Sequence, residues 1–436
     1  MTHAADSLQA WRATVLRFTA DPGAADAGYE YFPDGVLLVD AGRVAACGPA
    51  DVVLRELPRG VPVTDRRGCL LLPGFIDTHI HFPQLDVIGS GGHDLLDWLE
   101  SSTYPAERRY EDAAYAATAA DVFLDQLLAN GTTTAMVYCT VHAAATEAFF
   151  QAAARRGVRM IAGKVLMDRN CPDYLRDPPG GGLEETRRLI ARWHGHGRLS
   201  YAVTPRFAAT SSAAQLAGAG TIAREAPGLF VQTHLAESRA EIAWIRELFP
   251  DARSYLEIYE RCGLVRERAV FAHCIHMEQA DRARMAAAGA AAAFCPTSNL
   301  ALGSGLFDIA AADRAGLPFS IATDVGAGTS FSPFRCLDEA HKVAMLTGQY
   351  LSPLRAFYLA TLGAARCLGL AAAIGSLAVG SEADFVLIDP QAIPLLARRC
   401  AQSTGPGELL RLILTLGDDR VIRATCSMGV PVHGNA

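Results

Sequence analysis

Two histidines two positions apart, His79 and His81, close the apolar run PGFIDTHIH. Further along, His234 ends LFVQTH, His273 ends AVFAH, and Asp324 follows PFSIAT. The chain has only twelve histidines, so their placement is informative. Several neutral imidazoles with one carboxylate form a donor set suited to zinc, with iron also able to occupy it. Each residue alone fits a polar side chain satisfied inside a core. Five at the ends of apolar runs make that reading hard to keep. Glu237, three residues beyond His234 in QTHLAE, stands where it could reach an activated water rather than the metal, the place a proton shuttle needs. By itself it also fits a helix-start carboxylate stabilised by the helix dipole.

The elements that would position these groups repeat. Eight runs, LLPGFIDTHIH, TTTAMVY, RMIAGKVLMD, LSYAVTPRF, LFVQTHLAE, AVFAHCIH, AAAAFCPTSN and PFSIATDVG, are rich in β-branched or aromatic residues, and each ends in polar or reactive side chains. Helical patterns separate them. Tyr115, Ala119, Val122, Phe123 and Leu127 follow helical spacing, and Asn130-Gly131 supplies a stop. Eight such repeats are what a (β/α)8 barrel requires, with chemistry at the C-terminal strand ends; a doubly wound open sheet is the alternative. Residues two apart in a strand share a face, so His79 and His81 can both point inward. Both chain ends read instead as strands and turns. GVLLVDAGRVAACG (35–48) breaks at Asp40-Ala41-Gly42, and residues 375–390 and 419–434 repeat that style. One small sheet domain built from both ends is the simplest arrangement.

Composition narrows the partners. The 39 basic and 46 acidic residues leave a net charge of −7, and the arginine pairs 108–109, 155–156 and 187–188 are scattered. Polymeric nucleic acid is therefore not expected, and a small, weakly charged substrate is. Eleven cysteines without a CxxC pair point to reduced thiols in the cytoplasm. MTHAADSLQAWRATV lacks a secretory pattern, and no stretch approaches the roughly 20 apolar residues of a membrane span. Gly157 to Lys164 is a near miss for a phosphate loop, and GSGLF (303–307) lacks the rest of a dinucleotide fingerprint. No GxSxG elbow and no HxE…PCxxC signature is present. Gly180-Gly181-Gly182 reads as a flexible loop.

The combination of PGFIDTHIH, HLAE, FAHC and ATDVG resembles the amidohydrolase superfamily, metal-dependent hydrolases on a distorted (β/α)8 barrel. The resemblance implies a barrel over 73–375 and a small β-sandwich domain from 1–72 and 376–436. It implies that His79, His81, His234 and Asp324 hold one metal ion, that His273 hydrogen-bonds the attacking oxygen, and that Glu237 moves a proton from water to the leaving group. Members with two metals need a bridging lysine. Lys164 lies inside the third run rather than at its end, so one Zn2+ per subunit is expected, with Fe2+ the alternative, and Lys164 should snorkel or pair with a carboxylate. PQLD after the histidine pair, LLDWLESSTYPAE (95–107), TPRF (204–207) and TDVGAGTSFS (323–332) resemble the guanine deaminases within that superfamily. That likeness implies a purine site in which Gln84 binds the base, Arg206 donates to its carbonyl and Phe207 stacks on the ring. Trp98 fits either a pocket cover or a core position. The reaction implied is hydrolysis of guanine to xanthine and ammonia by attack at C2, in a cytoplasmic homodimer. Deamination of 8-oxoguanine, a pterin or a triazine is the alternative. Ring-amide hydrolysis is disfavoured by the missing bridging lysine, and a barrel retained only for binding would have lost a ligand or Glu237.

Overall fold

The computed structural model describes residues 8–92 and 94–435. The first seven residues, part of the segment expected at 1–72 and of the stretch read for a leader, lie outside the described residues. The eight runs form Phe75–His81, Thr132–Tyr138, Arg159–Gly163, Ser200–Pro205, Phe230–Leu235, Ala269–His273, Ala291–Phe294 and Phe319–Ile321. These strands lie parallel and side by side in chain order. A two-residue strand, Val165–Leu166, also pairs with the fourth. Ile76, Met136, Ile161, Phe230 and Val270 fill the interior with apolar side chains, so the barrel is a packed core and not a pore.

The first and eighth strands meet through the Thr78 and Ser320 hydroxyls, 2.6 Å apart, and their backbones join past the end of the eighth. Asp324 N donates to the His79 carbonyl at 2.9 Å and His81 N to the Val325 carbonyl at 2.8 Å. Asp77 fastens the seam, its carboxylate accepting from His79 N and Thr323 N, both at 3.2 Å. The first strand also carries an extra residue between Asp77 and Ile80 relative to its neighbour. Such a bulge re-aims the side chains that follow it. Ile76 packs in the barrel interior and Ile80 in the outer layer, leaving His79 and His81 turned inward.

The helix expected from Tyr115 spans Ala113–Ala129 and buries Ala119, Phe123 and Leu127, but Val122 is 45% exposed. Position 122 falls beside the stripe rather than on it. The expected glycine loop opens the helix Gly181–Trp193. A Cβ on Gly182 would lie 2.3 Å from the Asp177 carboxylate, so close approach, not flexibility, explains that glycine. Asp177 holds Lys164 at 2.5 Å, and Lys164 is fully buried, paired rather than snorkelling.

The small domain is a seven-stranded sheet drawn from both ends: Val430–Gly434, Ile422–Ser427, Phe385–Ile388, Val63–Pro73, Gln9–Phe18, Tyr29–Asp40 and Arg43–Pro49, in spatial order. Ala41 and Gly42, at φ 47° and 77°, make the two-residue turn that left-handed conformations favour in hairpins. Trp11 and Phe385 meet edge to face at 5.0 Å in its core. The tail differs from its β reading between 394 and 416, where Pro394–Cys400 and Pro406–Leu416 are helices. Leu410, Ile413 and Leu414 recur at i, i+3, i+4 and bury one helical face.

Arg198 clamps this sheet to the base of the barrel. It reaches Glu382 at 2.6 Å and Ser427 Oγ at 2.7 Å and also pairs with Asp384. Both carboxylates are nearly buried. Arg198→Ala is expected to destabilise the fold by about 3 kcal/mol, because it leaves the buried Asp384 without a cation while Arg159 still holds Glu382. A shifted denaturant midpoint measures this, and a shift worth under about 1 kcal/mol would contradict it.

Candidate active site

The fifth, sixth and eighth strands deliver His234, His273 and Asp324 to the rim where the bulge presents His79 and His81. His273 and Asp324 take left-handed backbone angles, φ 69° and 51°, as does Ala236 at 53°. Non-glycine residues hold such angles at a cost of order 1–3 kcal/mol each, which the packing around them overrides. The result is convergence. His79 Nε2 stands 3.3 Å from His81 Nε2, which stands 3.3 Å from His234 Nε2. Asp324 Oδ1 lies 3.1 Å from His79 Nε2 and 3.3 Å from His81 Nε2. A tetrahedral ion bound at about 2.0–2.1 Å needs donor atoms about 3.3 Å apart. The separations given match that spacing, and two overlapping groups, His79 with His81 and His234, and His79 with His273 and Asp324, could each hold an ion.

Protonation agrees with that use. Burial lowers the pKa of His79, lowers that of His81 to about 3, and with the neighbouring imidazoles takes His234 well below its usual value. The three rings are neutral and offer lone pairs. His234 Nδ1 lies 2.7 Å from the Arg206 carbonyl, so Nδ1 carries the proton and Nε2 is free to ligate. Burial works against the charge of Asp324, but His79 and His81 outweigh it and hold the carboxyl well below the usual range.

His273 sits slightly apart, its Nε2 3.9 Å from Asp324 Oδ2 and 3.2 Å from Glu237 Oε2. Its Nδ1 is 2.9 Å from Asn299 Oδ1, which fixes the ring's orientation. Burial and the Asp324 charge push the Glu237 carboxyl up to about 8, partly opposed by Ser304, whose hydroxyl donates to Oε1 at 2.8 Å. A carboxyl that exchanges its proton near the working pH suits general acid–base transfer.

Above these groups lies a partly open cavity. His81, His234, His273, Glu237 and Asp324 form its floor, and His79 lies beneath them outside the lining. Gln84, Arg206 and Phe207 face the same cavity. Leu95, Trp98 and Leu99 roof it, from the short helix Leu95–Trp98 and the π turn Leu99–Thr103. Trp98 thus covers the pocket and is buried as well, its Nε1 donating to Ser90 Oγ at 3.0 Å.

The Amidohydrolase family model matches residues 70–432. The chain belongs to the amidohydrolase family. It is 46% identical to guanine deaminase of Escherichia coli (strain K12) over 411 residues, 94% of each chain. Its fold superposes on the E. coli guanine deaminase structure with a TM-score of 0.96 at 45% identity, covering 98% of this chain and 100% of that one. Guanine deaminase from C. acetobutylicum with bound guanine gives 0.88 at 28% identity, covering 98% and 100%. Amidohydrolases are metal-dependent, and the His/Asp cluster of this amidohydrolase is a candidate metal-binding group.

Four further residues of the amidohydrolase site escaped the sequence reading. Asp77 closes the barrel beside the histidines and was legible as a lone acid in an apolar strand. Asn299 and Ser304 carry no spacing signal, and the glycines flanking Ser304 suggested a failed nucleotide motif instead. Glu107 binds Arg206 Nη1 through both oxygens, at 2.9 and 3.0 Å, and receives Gln84 Nε2 at 3.4 Å. It ends the motif LLDWLESSTYPAE but drew no reading of its own.

Proposed function

We propose that this protein hydrolyses guanine to xanthine and ammonia. The observation that carries the reading is Arg206, buried and aimed into the pocket beside Gln84 and Phe207, directly above the His/Asp donor groups. The relatives named above support it. A guanidinium favours an oxo-purine, because its N–H groups meet a carbonyl acceptor and would oppose an exocyclic amine. Phe207 supplies a flat face for the ring, and its edge rests on Trp244 at 6.0 Å. Gln84, with Oε1 accepting from Gly326 N at 3.2 Å, holds a fixed amide toward the base.

His79, His81, His234 and Asp324 would hold one zinc ion. Zinc, when bound, lowers the pKa of a coordinated water from 15.7 toward neutrality. Glu237 takes a proton from the attacking water as oxygen adds to C2 of guanine. His273 and Asp324 orient the nucleophile and stabilise charge developing at the tetrahedral carbon. Glu237 gives that proton to ring N3, then takes the proton of the added hydroxyl and gives it to the departing C2 amine, so that ammonia leaves as the C2 carbonyl forms and xanthine keeps its N3–H. One water is consumed and one ammonia released.

Ser304 keeps the Glu237 carboxyl aimed between water and amine. Ser304→Ala is expected to lower kcat about tenfold with little change in KM, since a hydrogen bond to a charged group is worth about 1.5–3 kcal/mol. Steady-state kinetics decide, and an unchanged kcat removes Ser304 from this role. The whole reading is tested by separate incubations with guanine, 8-oxoguanine and a pterin. Ammonia from a pterin but not from guanine overturns the substrate assignment.

The cytoplasm suits eleven cysteines that all stand free. Among the described residues no helix is long and apolar enough to cross a membrane. A homodimer follows from the family resemblance, and exposed Met345, Leu346 and Tyr350 offer apolar surface for it. The division at 1–72, 73–375 and 376–436 fits a sheet strand ending at Pro73 and a barrel strand beginning at Phe75.

A further inference from the structure

Glu107 is the least expected charge in the molecule. Its side chain is fully buried, on the helix Tyr104–Arg108 that follows the pocket roof. Its carboxylate spans the two residues assigned to the purine, Arg206 and Gln84. Among the described residues it is the sole carboxylate paired with Arg206, and Arg206 its sole cation. Tyr104 covers the other side, with its ring centroid 5.4 Å from the guanidinium carbon. Burial opposes the Arg206 charge, yet Glu107 more than offsets this and raises its pKa.

At the purine end the positive charge of Arg206 therefore faces the cavity and the negative charge of Glu107 lies behind it, both shielded from water. Where water is excluded, a charge acts strongly on a ligand a few ångströms away. A lone Arg206 would attract any anion. Paired with Glu107, it keeps its N–H donors and loses its net charge. This difference separates substrate from product. Hydrolysis replaces the C2 amine by a carbonyl and leaves a proton on the neighbouring ring N3. Xanthine accordingly loses a ring proton near neutral pH more readily than guanine does.

We propose that Glu107 is a positioning and specificity residue that cancels the Arg206 charge and fixes the Gln84 amide, so that the pocket accepts a neutral oxo-purine and rejects the xanthine anion. The inference rests on the guanine reading above. Glu107 does not line the cavity, so it acts through Arg206 and Gln84 rather than by touching the base. Loss of its charge would weaken guanine use and at the same time tighten product inhibition.

The test compares the guanine KM with the xanthine inhibition constant at mildly alkaline pH, where xanthine is largely its monoanion. In Glu107→Gln the ratio of KM to inhibition constant should rise at least about tenfold over the unmodified enzyme. Glu107→Asp, which keeps the charge, should hold the ratio within about threefold. A structural role alone weakens both constants by the same factor, and that result, or no change in either, overturns the proposal. If Glu107→Gln does not fold, the unmodified enzyme still decides. Hypoxanthine, largely neutral at that pH, should inhibit more strongly than xanthine, and the reverse order overturns the proposal. Absence of ammonia from guanine with the unmodified protein would instead overturn the substrate reading.

Discussion

Replacing Glu237 by glutamine is expected to lower kcat by about 10²–10⁴-fold while the protein keeps its metal. Glutamine preserves the shape and can still accept the Ser304 hydroxyl that reaches Oε1 at 2.8 Å. What it cannot do is carry a proton from water to the amine. The carboxyl stands 3.2 Å from His273 Nε2 and is not among the four converging donors, so the metal site should survive the change. The ionisation also matters. With its pKa pushed up to about 8 by burial and by Asp324, Glu237 can both accept and donate near neutral pH. A carboxyl at its usual value would accept readily but return the proton poorly. The variant should bind guanine with a KM within about threefold of the parent, because the lost interaction is one made while protons move. Turnover unchanged in a metal-replete variant would remove Glu237 from the proton path. Loss of metal together with turnover would assign it a different role.

The contrast between Glu237 and Glu107 marks how far the sequence could be read. Glu237 lies three residues from His234, in a run whose strand character is plain, so its place beside the histidines, 3.2 Å from His273 Nε2, follows from local geometry. Glu107 is 23 residues from Gln84 and 99 from Arg206. It meets both only because the roof segment folds over the barrel mouth, and no periodicity announces that fold. The barrel itself was legible, since each of its strands is an apolar run buried on both faces. The bulge at Asp77–Ile80 was not. Period-2 spacing put His79 and His81 on one face without saying which, and the extra residue turns that face inward. Lys164 was legible as a lysine paired with a carboxylate, whereas the identity of that partner, Asp177, was hidden in a loop. The helices at 394–416 were missed because their apolar stripe lies between two convincing β segments. In each case the missing fact is a contact between distant segments, which pattern alone does not encode.

Removing the metal should have the largest effect of all. Chelation of the purified protein, or His81→Ala, is expected to reduce ammonia release from guanine to background. Lowering the pKa of water from 15.7 to about 7 raises the ionised fraction at neutral pH by about 10⁸. Proton transfer by Glu237 contributes only about 10²–10⁴ and cannot replace it. Added zinc should restore the chelated protein but not His81→Ala, which lacks one corner of the donor tetrahedron. The fold should persist without the ion near neutral pH, because the seam is held by Asp77 and by the backbone bonds joining His79 to Asp324 and His81 to Val325. Acid should then separate the metal-free protein from the metal-loaded one. The buried imidazoles have pKa values below those of the unfolded chain, that of His81 being about 3 against an ordinary 6.5. The unfolded state therefore binds more protons below about 6.5, and stability is lost as pH falls from there toward 3. A bound ion opposes that loss by occupying the same lone pairs. Zinc-loaded protein should accordingly keep its melting temperature to lower pH than metal-free protein. Identical acid profiles for the two forms, or turnover persisting in protein stripped of metal, would show that these four side chains hold no catalytic ion.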